Sequence, residues 1–348
     1  MKMVKTLFFI LSVILITACN QSTEQKSNEK AGYSAEDSAL LKNAQALFQP
    51  LPKVAEDPKN PLTPEKIALG KYLYYDKRLS KDQNISCNSC HNLETYGVDN
   101  EPTSEGDDGS KGDRNSPTVL NAALHFVQFW DGRAENVEEQ AGGPIVNPVE
   151  MGIPSEEFLV ERLSDIEEYQ KKFKQAFPDA EEPITYDHVE KAIGAFERTL
   201  MTRSPFDEYL AGDVDALSDQ QRDGLKAFMD AGCTTCHMGV LLGGNMYHKF
   251  GIYDEYWEHT KSEKIDEGLA GVTGEESQKF ICKVPSLRNV EKTFPYYHDG
   301  SVTDLDKAIG IMAKTQLNKE LTDQEIADIG AFLASLTGEV PEEALMKE

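Results

Sequence analysis

Apolar residues recur along this chain mostly at helical spacing. Ser34 to Phe48 has that period, and Thr63-Pro64-Glu65 reads as a helix start, with a hydroxyl cap and a proline where no intrahelical N–H is needed. Ile67, Leu69, Tyr72 and Leu73 follow on that helix. Ser155 to Phe177 reads as one amphipathic stretch through Phe158, Leu159, Leu163, Ile166 and Tyr169, and Asp187 to Met201 as the next. Ser218-Asp219-Gln220 opens a helix carrying Leu225, Ala227 and Phe228. Thr322 with Glu325 has capping-box spacing ahead of Ile326, Ile329, Phe332, Leu333 and Leu336. Strand patterns are short and rare, so the expected class is mainly α, with little strand and long glycine-rich loops.

Two stretches add chemistry. Cys87-Asn88-Ser89-Cys90-His91 returns as Cys233-Thr234-Thr235-Cys236-His237. Two thiols so spaced can add to the two vinyl groups of one porphyrin, while the following histidine ligates the iron. A four-cysteine zinc site would join pairs lying far apart in the chain, each with a histidine of its own, and a thioredoxin-like pair would need a βαβ context that neither copy has. Each copy follows a helix and a turn, a weak internal repeat, which predicts two cytochrome c-like haem domains. Large prosthetic groups would also organise the long loops.

The 348 residues suffice for two such domains, and a formal charge of −25, from 35 Lys plus Arg against 60 Asp plus Glu, disfavours nucleic acid and anionic membrane as ligands. It suits a basic protein partner, or simply a well-solvated surface. Cys282 stands alone as a small buried hydrophobe, and no pair remains for a disulfide. Lys2 and Lys5 followed by the apolar run Leu7 to Ile16 read as a signal peptide over residues 1–18, too short to span a membrane. Ile16-Thr17-Ala18-Cys19 resembles a bacterial lipobox, in which Cys19 carries the lipid and residues 19–35 form a flexible tether. Haem attachment of this kind implies the periplasmic side, and Asn20 after Cys19 points to the outer membrane over the inner.

Nearly all of the chain beyond the tether resembles the bacterial di-haem cytochrome c peroxidases. The resemblance is carried by Arg114-Asn-Ser-Pro-Thr-Val-Leu-Asn121, Gln128-Phe-Trp-Asp-Gly-Arg133, Glu139-Gln-Ala-Gly-Gly-Pro144, Asn147-Pro-Val-Glu-Met151, Tyr296-Tyr-His-Asp-Gly-Ser301 and Ile311-Met312. It implies an N-terminal peroxidatic domain, 36–205, with haem on Cys87, Cys90 and His91, and a C-terminal electron-transfer domain, 206–348, with haem on Cys233, Cys236 and His237. Helices near the termini could cross over to the other domain. Glu150 matches the family's catalytic carboxylate and Gln140 its distal amide. A carboxylate beside an open iron position can shuttle the proton that peroxide cleavage requires, and an amide can hold the peroxide in line. Trp130 matches the tryptophan between the haems. The second iron needs a sixth ligand, which a thioether suits; Met246 and Met312 are both within reach, and the resemblance selects Met312. His298 is expected to bond a haem propionate or a neighbouring loop. The resemblance further implies a calcium ion on the Asn115 side chain and the Thr293 and Pro295 carbonyls.

One position departs from the family. Where many members place a histidine that caps the peroxidatic iron, this chain has Asp107, in a glycine-rich acidic loop expected to be mobile. The expectation is an open first iron with reductive activation weakened or absent, His125 being a poor substitute cap. The implied reaction is reduction of hydrogen peroxide to water with electrons from a small cytochrome c or copper protein, in an enzyme that could be a homodimer. Its rivals are a di-haem electron-transfer cytochrome without peroxidase activity and a protein-modifying di-haem oxidase. Met312 disfavours the latter, since those relatives carry tyrosine there.

Overall fold

The computed structural model describes residues 33–345; the expected leader, Cys19 and most of the expected tether lie outside them, as does Met346. Helix α1, Ala35–Leu47, starts at Ser34, whose hydroxyl accepts the Asp37 N–H at 3.0 Å. Helix α2, Pro64–Tyr75, is capped by the Thr63 hydroxyl, and α3, Cys87–Cys90, is a single turn holding the first cysteine pair. Helices α4, Val137–Val146, α5, Glu156–Ser164, α6, Glu167–Ala176, and α7, Tyr186–Glu197, complete the first unit. Its core gathers Leu69, Leu73, Ile145, Leu159, Phe173 and Val189.

The stretch from Ser155 to Phe177 is two helices, where the apolar period suggested one. At 100° per residue, Tyr169 on an unbroken helix would sit about 80° round from Leu159. The extended backbone at Ile166, with φ −105° and ψ 111°, re-aims the second stripe. Leu159 and Leu163 are buried by α5, Tyr169 and Phe173 by α6, and the Tyr169 ring meets Tyr72 of α2 edge-on at 5.4 Å.

Short α8, Pro205–Leu210, leads to α9, Asp219–Ala231, which ends at Gly232 with φ 95° immediately before the second cysteine pair. Strands β1, Tyr247–Lys249, and β2, Ile281–Lys283, form an antiparallel ribbon in the register Tyr247 to Lys283 and Lys249 to Ile281. Between them lie α10, Tyr256–Thr260, and α11, Ala270–Thr273. Then come α12, Leu305–Leu317, α13, Asp323–Ala334, and α14, Glu342–Leu345. The first and last described helices each pack into the core far from them in sequence. Ala44 and Phe48, at the end of α1, lie in the second core with Phe206, Leu225 and Phe332, whereas Ala344 of α14 lies against Tyr74, Leu93 and Phe196 of the first unit.

The two units share one packing device. A Cβ on Gly70 of α2 would stand 1.8 Å from the Ala192 carbonyl oxygen and 3.0 Å from Phe196 Cβ of α7. One on Gly224 of α9 would stand 1.8 Å from the Asp328 oxygen and 2.9 Å from Phe332 Cβ of α13. One turn beyond each glycine an aromatic ring closes the crossing: Tyr74 on Phe196 and Phe228 on Phe332, both at 5.3 Å. Each glycine allows two helix backbones to touch, and each crossing stands beside a Cys-x-x-Cys-His turn. Among the described residues no helix is long and apolar enough to cross a membrane.

Candidate active site

The residues at both motifs fit a covalently held haem. Cys87, Cys90, Cys233 and Cys236 form no disulfides. Burial pushes the Cys87 thiol up to about 12 and Cys90 and Cys233 up to about 11, as expected of thiols enclosed for bonding to an apolar macrocycle. Burial also lowers the His91 and His237 pKa values, favouring the neutral imidazoles that ligate iron. His237 Nδ1 lies 2.9 Å from the Leu242 carbonyl; donating there would leave Nε2 with its lone pair available to an iron. His91 Nδ1 is enclosed without a partner at hydrogen-bonding geometry, while the Tyr74 hydroxyl donates to the His91 carbonyl. The cysteine pairs do not converge: no group of three His, Cys, Asp or Glu side chains suited to a metal ion occurs among the described residues.

Gln140 lies on α4 and Glu150 in the turn that follows it. Pro144 inside α4 ends it through bonds from Asn147 and Met151 to its carbonyl, and Ile153 returns to Ile145 at 2.9 Å. That turn is stiff. The Asn147 amide donates to Glu150 Oε1 at 2.7 Å, and the Asp107 N–H donates to the Glu150 carbonyl at 2.8 Å. Burial raises the Glu150 pKa, opposed by the charge of Arg133 and by the Asn147 bond. Glu150 in turn helps raise the Cys90 pKa, so its charge is felt at the first motif.

The Asp107 loop, expected to be slack, is tied down. The carboxylate accepts the Ser80 hydroxyl at 2.9 Å, the Asp82 N–H at 2.6 Å and the Asn84 N–H at 3.3 Å. A Cβ on Gly106 would meet the Val149 carbonyl oxygen at 2.1 Å. Asp107 is therefore an anchor, clamping the turn before α3 to the backbone of Glu150. Its competence for these bonds lies in a short acceptor meeting a turn of free N–H groups, a pairing that no spacing in the sequence announces.

Trp130 sits at the junction of the two units. Its indole donates to the Asn115 carbonyl at 2.9 Å, its own carbonyl accepts the Lys283 N–H of β2 at 2.8 Å, and its ring lies edge-on to His298 at 6.4 Å. Phe129 just before it has φ 63°, a conformation uncommon for a bulky residue, and its ring lies 3.4 Å under the Arg133 guanidinium. His298 is buried with Nε2 3.5 Å from the Tyr256 hydroxyl. Arg114 forks onto Asp266 at 2.7 and 2.9 Å and also bonds Asp131, whose other partner is Arg133 at 3.0 Å. Burial disfavours the charge on Asp266, but the Arg114 bonds outweigh it and hold its pKa below the usual range. Arg133 and the Asp131-Gly132 turn thus position this segment, and the charge of Arg133 also reaches Glu150.

The remaining expected site residues fall in two places. Asn115 is buried, with its amide donating to the Glu101 carbonyl and its N–H to the His298 carbonyl. The adjoining segment reaches residues 292–295, where the Asn100 amide donates to the Phe294 carbonyl at 2.8 Å. Met312 lies on α12 against the cluster of Phe250, Tyr256, Tyr296 and Tyr297. The end of that helix brings Leu317 within 3.9 Å of a Cβ built on Gly232, beside the second motif. Met246 leads into β1 instead, and its carbonyl accepts the Val284 N–H. Cys282 is half-buried, and burial pushes its thiol up to about 12.

Two repeated helix crossings, each beside an enclosed Cys-x-x-Cys-His turn, with a tryptophan at their junction and a half-buried acid whose charge reaches the first, define a di-haem c-type oxidoreductase. Residues 64–215 match the family described as di-haem cytochrome c peroxidase. Cytochrome c551 peroxidase of Pseudomonas aeruginosa is 45% identical over 309 residues, covering 88% of this chain and 89% of that protein. That of Nitrosomonas europaea is 43% identical over 83% and 86% of the two chains, and the methylamine utilization protein MauG of Methylorubrum extorquens is 32% identical over 93% and 91%. A solved MauG-like protein associated with microbial copper homeostasis superposes with a TM-score of 0.70 at 29% identity, covering 83% of this chain and 94% of its own. The chain belongs to the di-haem cytochrome c peroxidase family.

Proposed function

We propose that this enzyme reduces hydrogen peroxide to two waters at the Cys87/Cys90/His91 site, with electrons from a small cytochrome c or copper protein entering at the Cys233/Cys236/His237/Met312 site. Haem bound at each motif supplies an iron coordination position and a one-electron store. The protein supplies the proton handling and the alignment. Glu150 accepts a proton from one peroxide oxygen and returns it to the other; burial strengthens it as a base, and Arg133 keeps it from becoming too weak an acid to give the proton back. Asn147 holds the carboxylate and Asp107 the backbone carbonyl of the same residue, so that the acid need not reorganise. Gln140 steadies the peroxide, and Trp130 fills the space between the sites as a packed aromatic medium. The observation that carries this reading is the half-enclosed Glu150, its carboxylate bonded by Asn147 and its backbone carbonyl by Asp107, with its charge felt at Cys90 of the first motif.

Several finer assignments belong to the same reading. Asp107, turned into the turn at residues 80–84, offers no ring nitrogen to the first iron, which supports an enzyme ready without prior reduction. Asn115, Thr293 and Pro295 would hold a calcium ion through oxygen donors, and His298 would contact a haem propionate. The enzyme would act on the periplasmic side of the outer membrane, anchored by lipid on Cys19, as a homodimer and with no nucleic-acid partner. The relatives named MauG keep a protein-modifying oxidase as the second reading, which Met312 disfavours.

Glu150→Gln tests the assignment, because the amide oxygen can still accept from Asn147 while the base is gone. The expected loss in kcat/KM for peroxide is about 10²–10⁴-fold, or roughly 3–5 kcal/mol of transition-state stabilisation. Unchanged turnover in the fully loaded variant would remove Glu150 from the chemistry. Absence of turnover in the parent enzyme, oxidised or half-reduced, would favour an electron-transfer cytochrome.

A further inference from the structure

Between the two units lies a second buried pair of titratable groups that peroxide cleavage does not use. Lys283, on β2, is 4% exposed, and its Nζ lies 2.9 Å from Nδ1 of His125. The pair joins the units: His125 belongs to the segment before Trp130, and the Lys283 N–H donates to the Trp130 carbonyl. As an ammonium Lys283 can only donate, so in that state Nδ1 is the acceptor and the imidazole hydrogen sits on Nε2; the neutral amine keeps two N–H groups and can donate to the same nitrogen. Nε2 is enclosed and has no partner among the described residues.

The pair reaches the second motif through two glycines. A Cβ on Gly244 would stand 2.5 Å from His125 Cδ2, while one on Gly243 would stand 2.0 Å from the Pro285 carbonyl oxygen and 3.3 Å from His237 Nδ1. Side chains are excluded from this strip, so His125 packs on one end of a short backbone bridge whose other end, the Leu242 carbonyl, partners His237. The Phe126 N–H donates to the Gly244 carbonyl, and the Gly244 N–H to that of Val284. His125 itself does not touch His237.

The other charged or titratable groups around Lys283 are Asp131, committed to Arg114 and Arg133, Tyr247 on the pairing strand, and Cys282 next along β2. Among the described residues no carboxylate hydrogen-bonds the Lys283 amine. Burial brings its pKa down to about 7, with Asp131 opposing only in part, and burial also holds His125 well below its usual value, Lys283 adding to the effect. Lysine thus gains or loses its proton near neutral pH while the histidine stays neutral.

We propose that Lys283 and His125 form a proton-loading pair that compensates each electron held at the second site. This rests on the reading that both motifs carry haem and that electrons enter at the second. As the reduced donor protein gives up one electron, the Lys283 amine takes one proton from water, forming a third N–H bond; the resulting ammonium donates to His125 Nδ1, which accepts in both states. When the electron moves on, that N–H bond breaks and the proton leaves. Two such passages match the two electrons and two protons that turn one peroxide into two waters. The geometry suits this because nothing has to move: the added charge lies in a low-dielectric strip one short backbone bridge from His237.

The test is spectroelectrochemical titration of the holoenzyme from pH 5.5 to 9. The higher-potential transition is assigned to the second site, since thioether ligation raises potential. In the parent, its reduction equilibrium should weaken with rising pH near 7 by up to tenfold per pH unit, about 59 mV for a one-electron couple. Lys283→Met should flatten the profile at the parent's alkaline limit. Lys283→Arg, charged throughout, should flatten it at or above the acid limit, and this opposite displacement separates loss of the proton site from loose packing. A parent potential independent of pH over this range overturns the proposal, as does the parental slope persisting in both variants, which would assign the titration to Asp131, Tyr247 or a haem carboxylate. Fewer than two redox transitions in the parent would overturn the di-haem reading itself and this proposal with it.

Discussion

Alanine at Gly224 or Gly70 should damage the enzyme through the helix crossing rather than the helix. In an exposed helix, glycine to alanine stabilises by about 1 kcal/mol. Here the new Cβ on Gly224 would lie 1.8 Å from the Asp328 carbonyl oxygen and 2.5 Å from its carbon, and the new Cβ on Gly70 the same distances from Ala192. Carbon and carbonyl oxygen settle at about 3.3–3.6 Å, so the paired helices would have to part by about 1.5 Å. A gap of about 0.5–1 Å already forfeits a quarter to a half of each dispersion well, and overpacked interfaces lose about 1–3 kcal/mol or more. The crossing therefore outweighs the helix propensity, and a net loss of about 1–2 kcal/mol is expected, or roughly 2–8 °C in Tm for units of this size. Thermal unfolding of the holoenzyme, followed by far-ultraviolet circular dichroism and haem absorbance, measures it. Gly271→Ala is the internal control: with nothing within 4 Å of its Cβ, it should be neutral or stabilising. A Tm for Gly224→Ala or Gly70→Ala equal to or above that of the parent would refute the reasoning.

Two other substitutions probe buried charge. Arg288 and Asp207 pair at 2.7 Å with neither side chain exposed, so Arg288→Met, which strands the carboxylate, should cost about 3–5 kcal/mol. Adding Asp207→Asn should recover part of that loss in chemical denaturation, and a single variant within 1 kcal/mol of the parent would contradict the burial argument. Glu197 is buried with Oε2 unpartnered, and burial raises its pKa from the ordinary 4.5 to about 8, Glu138 adding to the rise and Arg198 opposing it. A raised folded-state pKa gives stability that is present in full below pH 4.5 and lost as pH climbs through 8. Glu197→Gln should thus flatten the fall in Tm across that window, and profiles parallel to the parent's would show that the group does not titrate there.

The haem motifs were legible because covalent attachment demands a contiguous pattern: both thiols and the histidine must lie on one turn, whatever surrounds them. The helix starts at Ser34, Thr63, Ser218 and Thr322 were legible for the same reason, since a cap bonds an N–H only two or three residues on. The family, too, could be read from ordered strings such as Gln128 to Arg133. The period of apolar residues showed that Ser155 to Phe177 was helical but missed its break, because a bend that re-aims Tyr169 is decided by the surface of α2 waiting to receive it.

What the sequence determined by itself is therefore local, mainly helical structure and two haem-bearing turns, with Glu150 singled out only through the resemblance of its Asn147 to Met151 string. What only the tertiary structure decided is long-range. Gly70 and Gly224 are ordinary helix glycines until Ala192 and Asp328 arrive against them, and Asp107 is one acid among many until the turn at residues 80–84 offers it three donors. His125 and Lys283 stand 158 positions apart and become a pair only where the units close on Trp130. Capping, periodicity and covalent ligation act within a turn or two of helix and so leave their mark in neighbouring letters. Close backbone approach, desolvation and charge pairing depend on which distant surfaces meet, and no spacing along the chain records that.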